Sequence, residues 1–272
     1  MSEKLRRLLV YAVPIAAIAV VLAGVFAAWR PLAPQEEGPP KLLLYCGAAL
    51  RPPVEEAIEL FQRRTGVRVE ADYGASNLLL GRLKISRRGD VFLPGDAFYV
   101  SEAEAEGLVA ESKDVAWFVP VIMVPKGNPR GIETVADLAA PGVRLALADE
   151  RAAAIGRITP DIFRANGVPL DDVERNTAFT GVTAPELAQA VALGHVDATI
   201  IWRPVAMRYP DSAEIVEIPR ETNVLSPVAV AALTTSDFPD EARQLVAFLA
   251  GPMGQECFRK HHYEPAEEAE AP

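Results

Sequence analysis

A unit of apolar strand, small-residue turn and amphipathic helix recurs along the chain. Lys41 to Cys46 is a short apolar run, the turn Gly47-Ala48-Ala49 follows, and apolar side chains in residues 54–61 then repeat with helical spacing. Similar turns lie at residues 73–77 and 94–96. Strands that alternate with helices predict an α/β fold, and ligands bind such folds at the carboxyl ends of the strands.

A second series of strands and helices follows the breaker Pro125-Lys126-Gly127-Asn128-Pro129. Its predicted strands are residues 143–148, 176–180 and 198–202, and its predicted helices start near Gly156 and at Ala184. Thr183-Ala184-Pro185-Glu186 matches the capping box, in which a hydroxyl and a carboxylate satisfy free amide groups of the helix start.

The end of the chain predicts a return to the first series. Residues 226–233 form an apolar strand pattern, and residues 242–249 show the i, i+3, i+4, i+7 spacing of a helix. We expect this last helix to pack on the first series. The chain then forms two lobes and crosses between them near Val119 and near Pro227.

Residues 8–29 are an apolar stretch of 22 residues without a charge, preceded by three basic side chains. At a rise of ~1.5 Å per residue, a helix of this length spans about 33 Å, enough to cross a membrane. We expect residues 1–30 to be a single-pass anchor in the cytoplasmic membrane, with the N-terminus inside and the remainder in the periplasm or outside. A secretory signal that is cleaved, leaving a secreted protein, and a buried core helix are the alternatives. Residues 31–40 predict an extended linker, and residues 266–272 an acidic tail.

The charge balance argues against a nucleic-acid partner. The chain has 27 Lys and Arg against 37 Asp and Glu, a net charge of −10, and so lacks the basic excess that displaces phosphate counterions. Its 50% hydrophobic residues are enough for a packed core.

The sequence motifs of catalysis and metal binding are absent. There is no phosphate loop, no His-Glu-x-x-His and no Cys-x-x-Cys, and the elbow-like turn at residues 74–78 has Leu78 in place of its second glycine. His261-His262 predicts surface histidines, not a metal site. For Cys46 and Cys257 we expect two unpaired thiols, with a disulfide between them as the alternative.

Small-residue turns open a helix at four strand ends: residues 47–49, 74–77, 152–156 and 183–184. One such turn is ordinary in any α/β protein. A helix start offers unpaired N–H donors and about half a positive charge, so several that converge form an anion site that needs no lysine or arginine. The sequence therefore predicts that an acidic protein binds a small anion.

An ordered set of motifs over residues 41–265 resembles the periplasmic molybdate-binding proteins of ABC importers (ModA-like). The motifs are Leu44 to Leu50, Phe61-(x4)-Gly66-Val67, Tyr73 to Ser76, Gly89 to Asp96 and Gly251-Pro252. The resemblance implies a type II periplasmic binding protein, in which two α/β lobes with a mixed sheet each are joined by two hinge crossings and close over a tetrahedral oxyanion. We expect lobe I to comprise residues 41–119 plus 228–265, and lobe II residues 120–227.

The resemblance also implies which residues contact the ligand. In that family, serine hydroxyls and backbone amides of both lobes, together with a tyrosine, hold the dianion. The matching positions here are Ser76, Gly95, Ile155 and Ala184. Two positions depart, since Ala49 replaces a serine and Trp202 replaces the tyrosine. Asn77, Thr183 and Arg157 are candidates to replace the lost groups.

The expected protein is therefore a tethered monomer without enzymatic activity, cofactor or bound metal ion. We expect it to capture molybdate or tungstate by hinge closure and to deliver this oxyanion to an ABC permease in the inner membrane. A receptor or sensor of the same fold for sulfate, phosphate or a carboxylate is the alternative, because Ala49 and Trp202 depart from the family pattern. An anchored enzyme is the least favoured reading.

Overall fold

The structure is a computed structural model that describes residues 40–266. The predicted anchor at residues 1–30, the linker up to residue 39 and the acidic tail from residue 267 lie outside the described residues. Among residues 40–266, no helix is both long enough and apolar enough to cross a membrane.

The apolar runs of the sequence form strands. In chain order the strands are β1 (Lys41–Gly47), β2 (Arg68–Gly74), β3 (Val91–Leu93), β4 (Val109–Phe118), β5 (Pro120–Pro125), β6 (Leu145–Ala148), β7 (Thr177–Gly181), β8 (Ala198–Trp202), β9 (Ala213–Glu217), β10 (Ser226–Leu233) and β11 (Glu264–Pro265).

The helices lie between and after the strands. They are α1 (Arg51–Thr65), α2 (Ser76–Ser86), α3 (Ala97–Ala105), α4 (Ala154–Ala165), α5 (Leu170–Asn176), α6 (Ala184–Ala192), α7 (Arg203–Ala206), α8 (Pro239–Ala250) and α9 (Pro252–Lys260). Short 3-10 turns lie at Ala48–Leu50, Ala136–Ala139 and Arg220–Thr222. Helix α4 begins at Ala154, two residues before the predicted start at Gly156.

The strands form two mixed sheets, which confirms the predicted α/β class. Sheet A has the order β11-β4-β10-β3-β1-β2, and sheet B has the order β7-β6-β8-β5-β9. Strand β1 runs parallel to β2 and β3, whereas β10 and β4 pair antiparallel. In sheet B, β6 runs parallel to β7 and β8, and β5 pairs antiparallel with β8 and β9.

Most of strand β4 and all of strand β9 were not predicted, since the sequence pattern did not indicate them. The first half of β4 carries a half-buried Glu111 and the exposed side chains of Lys113 and Asp114, so it lacks the apolar run of a buried strand. In β9 only Ala213 is buried.

The chain leaves sheet A after Phe118 and enters sheet B at Pro120, and it returns to sheet A at Ser226. Helices α8 and α9 then pack on α1, β4 and β10. The rings of Phe61 in α1 and Phe248 in α8 meet edge to face at 5.5 Å. The predicted return of the last helix to the first series is therefore confirmed.

Both cysteines and the His261-His262 pair lie in the described residues. Cys46 and Cys257 are both buried and unpaired, as expected, and burial raises the pKa of both thiols. His261 Nε2 lies 2.9 Å from a carboxylate oxygen of Glu56, which also pairs with Lys260. Within residues 40–266, no cluster of three or more His, Cys, Asp or Glu side chains could hold a metal ion.

A buried carboxylate fixes the start of β8 in sheet B. Asp197 has an 8% exposed side chain and lies between Arg130 and Arg144, with guanidinium nitrogens at 3.3 and 3.0 Å. The backbone N–H of Arg144 also donates to it at 2.8 Å. Burial acts to raise the pKa of Asp197, but the hydrogen bonds and charge of Arg144, helped by Arg130, hold this pKa below its usual value.

We expect Asp197→Asn to lower the free energy of unfolding by about 1–3 kcal/mol at neutral pH, because it removes a charged acceptor from two arginines. A carboxyl group with a lowered folded-state pKa stabilises the fold above its unfolded pKa of about 3.9, and this stabilisation is lost as the pH falls through the folded value. The difference from wild type should therefore shrink in acid. Urea unfolding at neutral pH and below about pH 4 measures it, and the exposed Asp211→Asn is the control. A difference that grows in acid contradicts the prediction.

Candidate functional site

The turns that follow the parallel strands of both sheets line one cavity. It encloses about 290 Å³ of atom-free space, counting its opening to solvent. Its lining residues are Gly47, Ala48, Ala49, Gly74, Ala75, Ser76, Gly95, Ala153, Ala154, Ile155, Val182, Thr183, Ala184 and Trp202. The carboxyl ends of β1, β2 and β3 in sheet A and of β6, β7 and β8 in sheet B thus serve one place, the usual ligand position in α/β folds.

Seven of the nine candidate contact residues lie on this lining, and Asn77 and Arg157 are the exceptions. The seven are Ala49, Ser76, Gly95, Ile155, Thr183, Ala184 and Trp202. Their predicted contact with a ligand stays a prediction.

Three helices begin at the cavity without a capping side chain from the described residues. The N-cap residues of α2, α4 and α6 are Ala75, Ala153 and Thr183, and none of these side chains hydrogen bonds to the helix start. The first N–H groups of a helix have no partner within it, and alanine at an N-cap forfeits about 1 kcal/mol relative to a capping residue. Amides such as that of Ile155 therefore remain available to a ligand, and the partial positive charge of the helix start attracts an anion.

The capping box predicted at Thr183 and Glu186 is wrong, because neither side chain bonds to the N–H group that such a box uses. The Glu186 carboxylate accepts from the N–H of Val182 at 2.9 Å, but the Thr183 hydroxyl does not bond to the helix start. An N-cap hydroxyl usually accepts from the second or third helical residue, and the second here is Pro185, which has no N–H. The Thr183 side chain is left to the cavity that it lines.

Ser76 presents a buried hydroxyl to the cavity. Ser76 is 4% exposed, and its Oγ accepts a hydrogen bond from the backbone N–H of Gly95 at 3.0 Å. A hydroxyl that accepts one hydrogen bond still has its own hydrogen to donate. Ser226 Oγ donates to the Gly95 carbonyl at 3.4 Å, so the Gly95 turn is held on both sides.

Trp202 forms the aromatic side of the cavity. Its ring stacks on Phe118 with centroids 4.4 Å apart and planes at 12°, and Phe118 also contacts Tyr263 at 5.3 Å. In the described part of the chain, the indole N–H of Trp202 has no hydrogen-bond acceptor. This donor is available to a bound molecule at the position where the resemblance expects a tyrosine hydroxyl.

Ala49 is fixed through its carbonyl. Arg208 Nη2 donates to the Ala49 oxygen at 2.7 Å, and Tyr263 Oη donates to the same oxygen at 2.5 Å. The turn at Ala49, which has no serine hydroxyl, is thus held by Arg208, which follows β8, and by Tyr263, near the end of the described chain. Sequence reasoning missed both residues, because they lie 159 and 214 positions from Ala49.

The structure corrects the place of two candidate replacements, Asn77 and Arg157. The Asn77 backbone N–H donates to the Ala152 carbonyl at 3.2 Å, and its side-chain amide donates to the Arg151 carbonyl. Arg157 Nη2 donates to the buried carboxylate of Asp96. Both residues therefore connect turns of sheet A to turns of sheet B and do not line the cavity.

The cavity lining is neutral. No charged side chain of the described chain belongs to it, and its free donors are hydroxyls, an indole and backbone amides. Burial raises the pKa of the Cys46 thiol well above its usual value, so this group next to Gly47 is neutral as well. Such a lining can hold an anion by donors alone, and it offers no carboxylate or imidazole for acid–base chemistry.

Comparison with known families and proteins agrees with this geometry. The family model of bacterial extracellular solute-binding proteins matches residues 42–264. A binding protein of Haemophilus influenzae is 30% identical over 225 residues, covering 83% of this chain and 91% of that protein. The molybdate-binding protein ModA of Mycobacterium tuberculosis is 26% identical over 245 residues, covering 87% of this chain and 91% of ModA. These matches confirm the resemblance to ModA-like periplasmic binding proteins.

Solved structures share the fold at low sequence identity. The sulfate-binding protein SubI of Mycobacterium tuberculosis superposes with a TM-score of 0.75 at 18% identity, over 84% of this chain and 88% of SubI. The periplasmic molybdate-binding protein of Azotobacter vinelandii superposes with a TM-score of 0.69 at 14% identity, over 82% of this chain and 98% of that chain. One fold therefore serves receptors of different oxyanions.

A glycine in α4 tests how tightly the cavity turns are packed. A Cβ at Gly156 would lie 2.4 Å from the Asp149 carbonyl oxygen and 2.8 Å from that of Ala148. We expect Gly156→Ala to displace this turn and to lower the free energy of unfolding by about 1–3 kcal/mol. Gly81→Ala in α2 is the control, since its Cβ would meet open space, and it should stabilise by about 0.5–1 kcal/mol. Urea unfolding measures both variants, and equal effects contradict the prediction.

Proposed function

The chain belongs to the family of bacterial extracellular solute-binding proteins, and we propose that it captures a fully deprotonated tetrahedral oxyanion, molybdate or tungstate, for an ABC importer. The observation that carries this proposal is the neutral cavity at which three helices begin without a capping side chain in residues 40–266. Donors without a compensating side-chain acceptor suit an anion that has only acceptor oxygens.

The absence of a carboxylate from the described lining favours a dianion without a proton. Phosphate near neutral pH carries a hydroxyl hydrogen, and a buried hydrogen-bond donor needs an acceptor. Molybdate, tungstate and sulfate have no such hydrogen, so Ser76, Thr183 and Trp202 can donate to them without an unpaired group on the ligand.

Sulfate is the second candidate ligand, and a specific observation supports it. Ala49 carries no hydroxyl and Trp202 offers one N–H in place of a phenol, so two positions lack the groups that the molybdate-binding family uses. The matches to ModA in sequence favour molybdate, because they extend over most of both chains.

Capture is proposed to occur by closure of two lobes, one around each sheet. The two sheets are connected at Val119 and through residues 218–225. Contacts between their turns support a closed form: Asn77 donates to Ala152, and Arg208 donates to Ala49. In this form the cavity lies between donors of both lobes, so an anion contributes bonds to each and favours closure.

The remaining parts of the proposal concern location and assembly. The family name places its members outside the cytoplasm. We assign residues 8–29 as an uncleaved membrane anchor with the receptor on the outer side. The receptor acts as a monomer, presents the oxyanion to the permease, and performs no covalent chemistry.

Thermal unfolding of the full-length chain in mild detergent tests the ligand class. Molybdate and tungstate should raise the melting temperature most, because a ligand at about 100 times its Kd stabilises a protein by about 2.7 kcal/mol. Phosphate and a small carboxylate should have little effect. A shift with sulfate alone favours the second candidate, and a chain that responds to none of these anions contradicts the proposal.

Ser76→Ala should weaken molybdate binding by about 10- to 100-fold, since loss of a donor to a charged acceptor costs about 1.5–3 kcal/mol. Isothermal titration calorimetry measures the change. Ser101→Ala is the matched control, because Ser101 is exposed on α3 and its hydroxyl only donates back to Ala97 at 3.4 Å. Wild-type affinity in the Ser76 variant would exclude Ser76 from the site.

A further inference from the structure

A buried ion pair lies directly beside the cavity, and its two partners come from segments that follow strands of different sheets. Asp96 follows the lining residue Gly95 and is 1% exposed. Arg157 lies two residues after the lining residue Ile155, and its Nη2 donates to Asp96 Oδ2. Asp96 begins α3, which follows a strand of sheet A, whereas Arg157 is in α4, which follows a strand of sheet B.

Both partners are held in place by further contacts. Asp96 Oδ1 accepts from the Phe98 N–H at 2.7 Å and so caps α3. The guanidinium carbon of Arg157 lies 4.7 Å from the centre of the Phe98 ring, which is within cation–π range. Arg157 Nε is buried and has no hydrogen-bond partner among the described residues. This arginine is therefore ordered by Asp96 and Phe98 together.

The position of Asp96 creates an electrostatic problem for an anion receptor. A buried carboxylate without a partner is costly, and it repels a dianion in the neighbouring cavity. Arg157 offsets both effects, yet it comes from the other sheet's region. The Phe98 N–H and the start of α3 stabilise Asp96 from its own side, whereas compensation by the positive charge of Arg157 exists only when the two regions are in contact.

We propose that Arg157 is a positioning residue that neutralises Asp96 when the lobes close, so that the closed form tolerates a dianion beside a buried carboxylate. This inference rests on the proposed function. Asp96 repels the anion in the open form, and the approach of Arg157 removes that repulsion at the moment of capture. Closure and anion affinity are thereby coupled through one ion pair.

Three variants separate this role from that of an ordinary structural brace. Arg157→Gln leaves Asp96 charged and without a cationic partner, so molybdate affinity should fall by about 100-fold. Asp96→Asn keeps an N-cap acceptor and removes the negative charge, so affinity should equal that of wild type or exceed it. The double variant Asp96→Asn with Arg157→Gln should return to within about fivefold of wild type.

A structural brace gives a different order of affinities. If the pair only holds two turns together, Asp96→Asn and Arg157→Gln weaken binding alike, and the double variant stays weak. That result would overturn the inference. If Arg157→Gln does not fold, the comparison of Asp96→Asn with wild type decides, because any loss of affinity in Asp96→Asn contradicts the proposed repulsion.

The experiment is calorimetric titration of the full-length chain in detergent with molybdate and with sulfate, together with melting temperatures without anion. Arg164→Gln is the matched control, since Arg164 lies on the same helix and pairs with Asp161 at the exposed surface. It should bind like wild type. A wild-type chain that binds neither anion overturns the proposed function and this inference together, whereas a wild-type chain that binds and shows the brace order overturns this inference alone.

Discussion

Backbone N–H groups at helix starts must find partners, and this requirement organises the molecule around its cavity. Alanine stands at the N-caps of α2 and α4, and proline at the second position of α6 removes one usual partner of the Thr183 hydroxyl. Helix α3 is different, since Asp96 caps it. The helices that begin at the cavity thus lack the stabilisation of about 1 kcal/mol that a capping side chain gives, whereas α3, beside the cavity, has it. The helix starts without a capping side chain line the cavity.

The acidic composition is compatible with the proposed anion site, because the cavity lining is neutral and arginines just outside it offset nearby negative charge. The lining itself is neutral within the described chain, so affinity comes from oriented dipoles. Just outside the lining, Arg157 pairs with Asp96 and Arg208 donates to the Ala49 carbonyl. In the proposed complex these neighbouring cations correct the local field without touching the anion, and the anion can be released again because no cation holds it directly.

Most of the fold and of the cavity could be predicted from local sequence signals. Apolar runs and helical spacing located the strands and helices, and small-residue turns located the cavity at residues 74–77 and 152–156, because these features depend on neighbours in the chain. The family resemblance added Gly95. Contacts such as Tyr263 to Ala49 join distant segments and leave no local signal. Strand β4 was largely missed because its exposed charges hide the strand pattern. The capping box did not form, since Glu186 accepts from Val182 and not from Thr183, and Pro185 removes one of the two N–H groups that the Thr183 hydroxyl could use.

The unequal connections between the sheets define a mechanical geometry. Val119 alone separates β4 from β5, whereas β9 and β10 are joined by residues 218–225. In the proposed closure, the one-residue link is the hinge. It allows sheet B to rotate but not to translate, while the longer connection can change its conformation to follow the rotation. Trp202 pairs with Pro120 and stacks on Phe118, so it lies next to Val119. In the proposed closure, Trp202 therefore moves least and groups farther from Val119 move along wider arcs, so the two sides of the cavity contribute unequally to the motion.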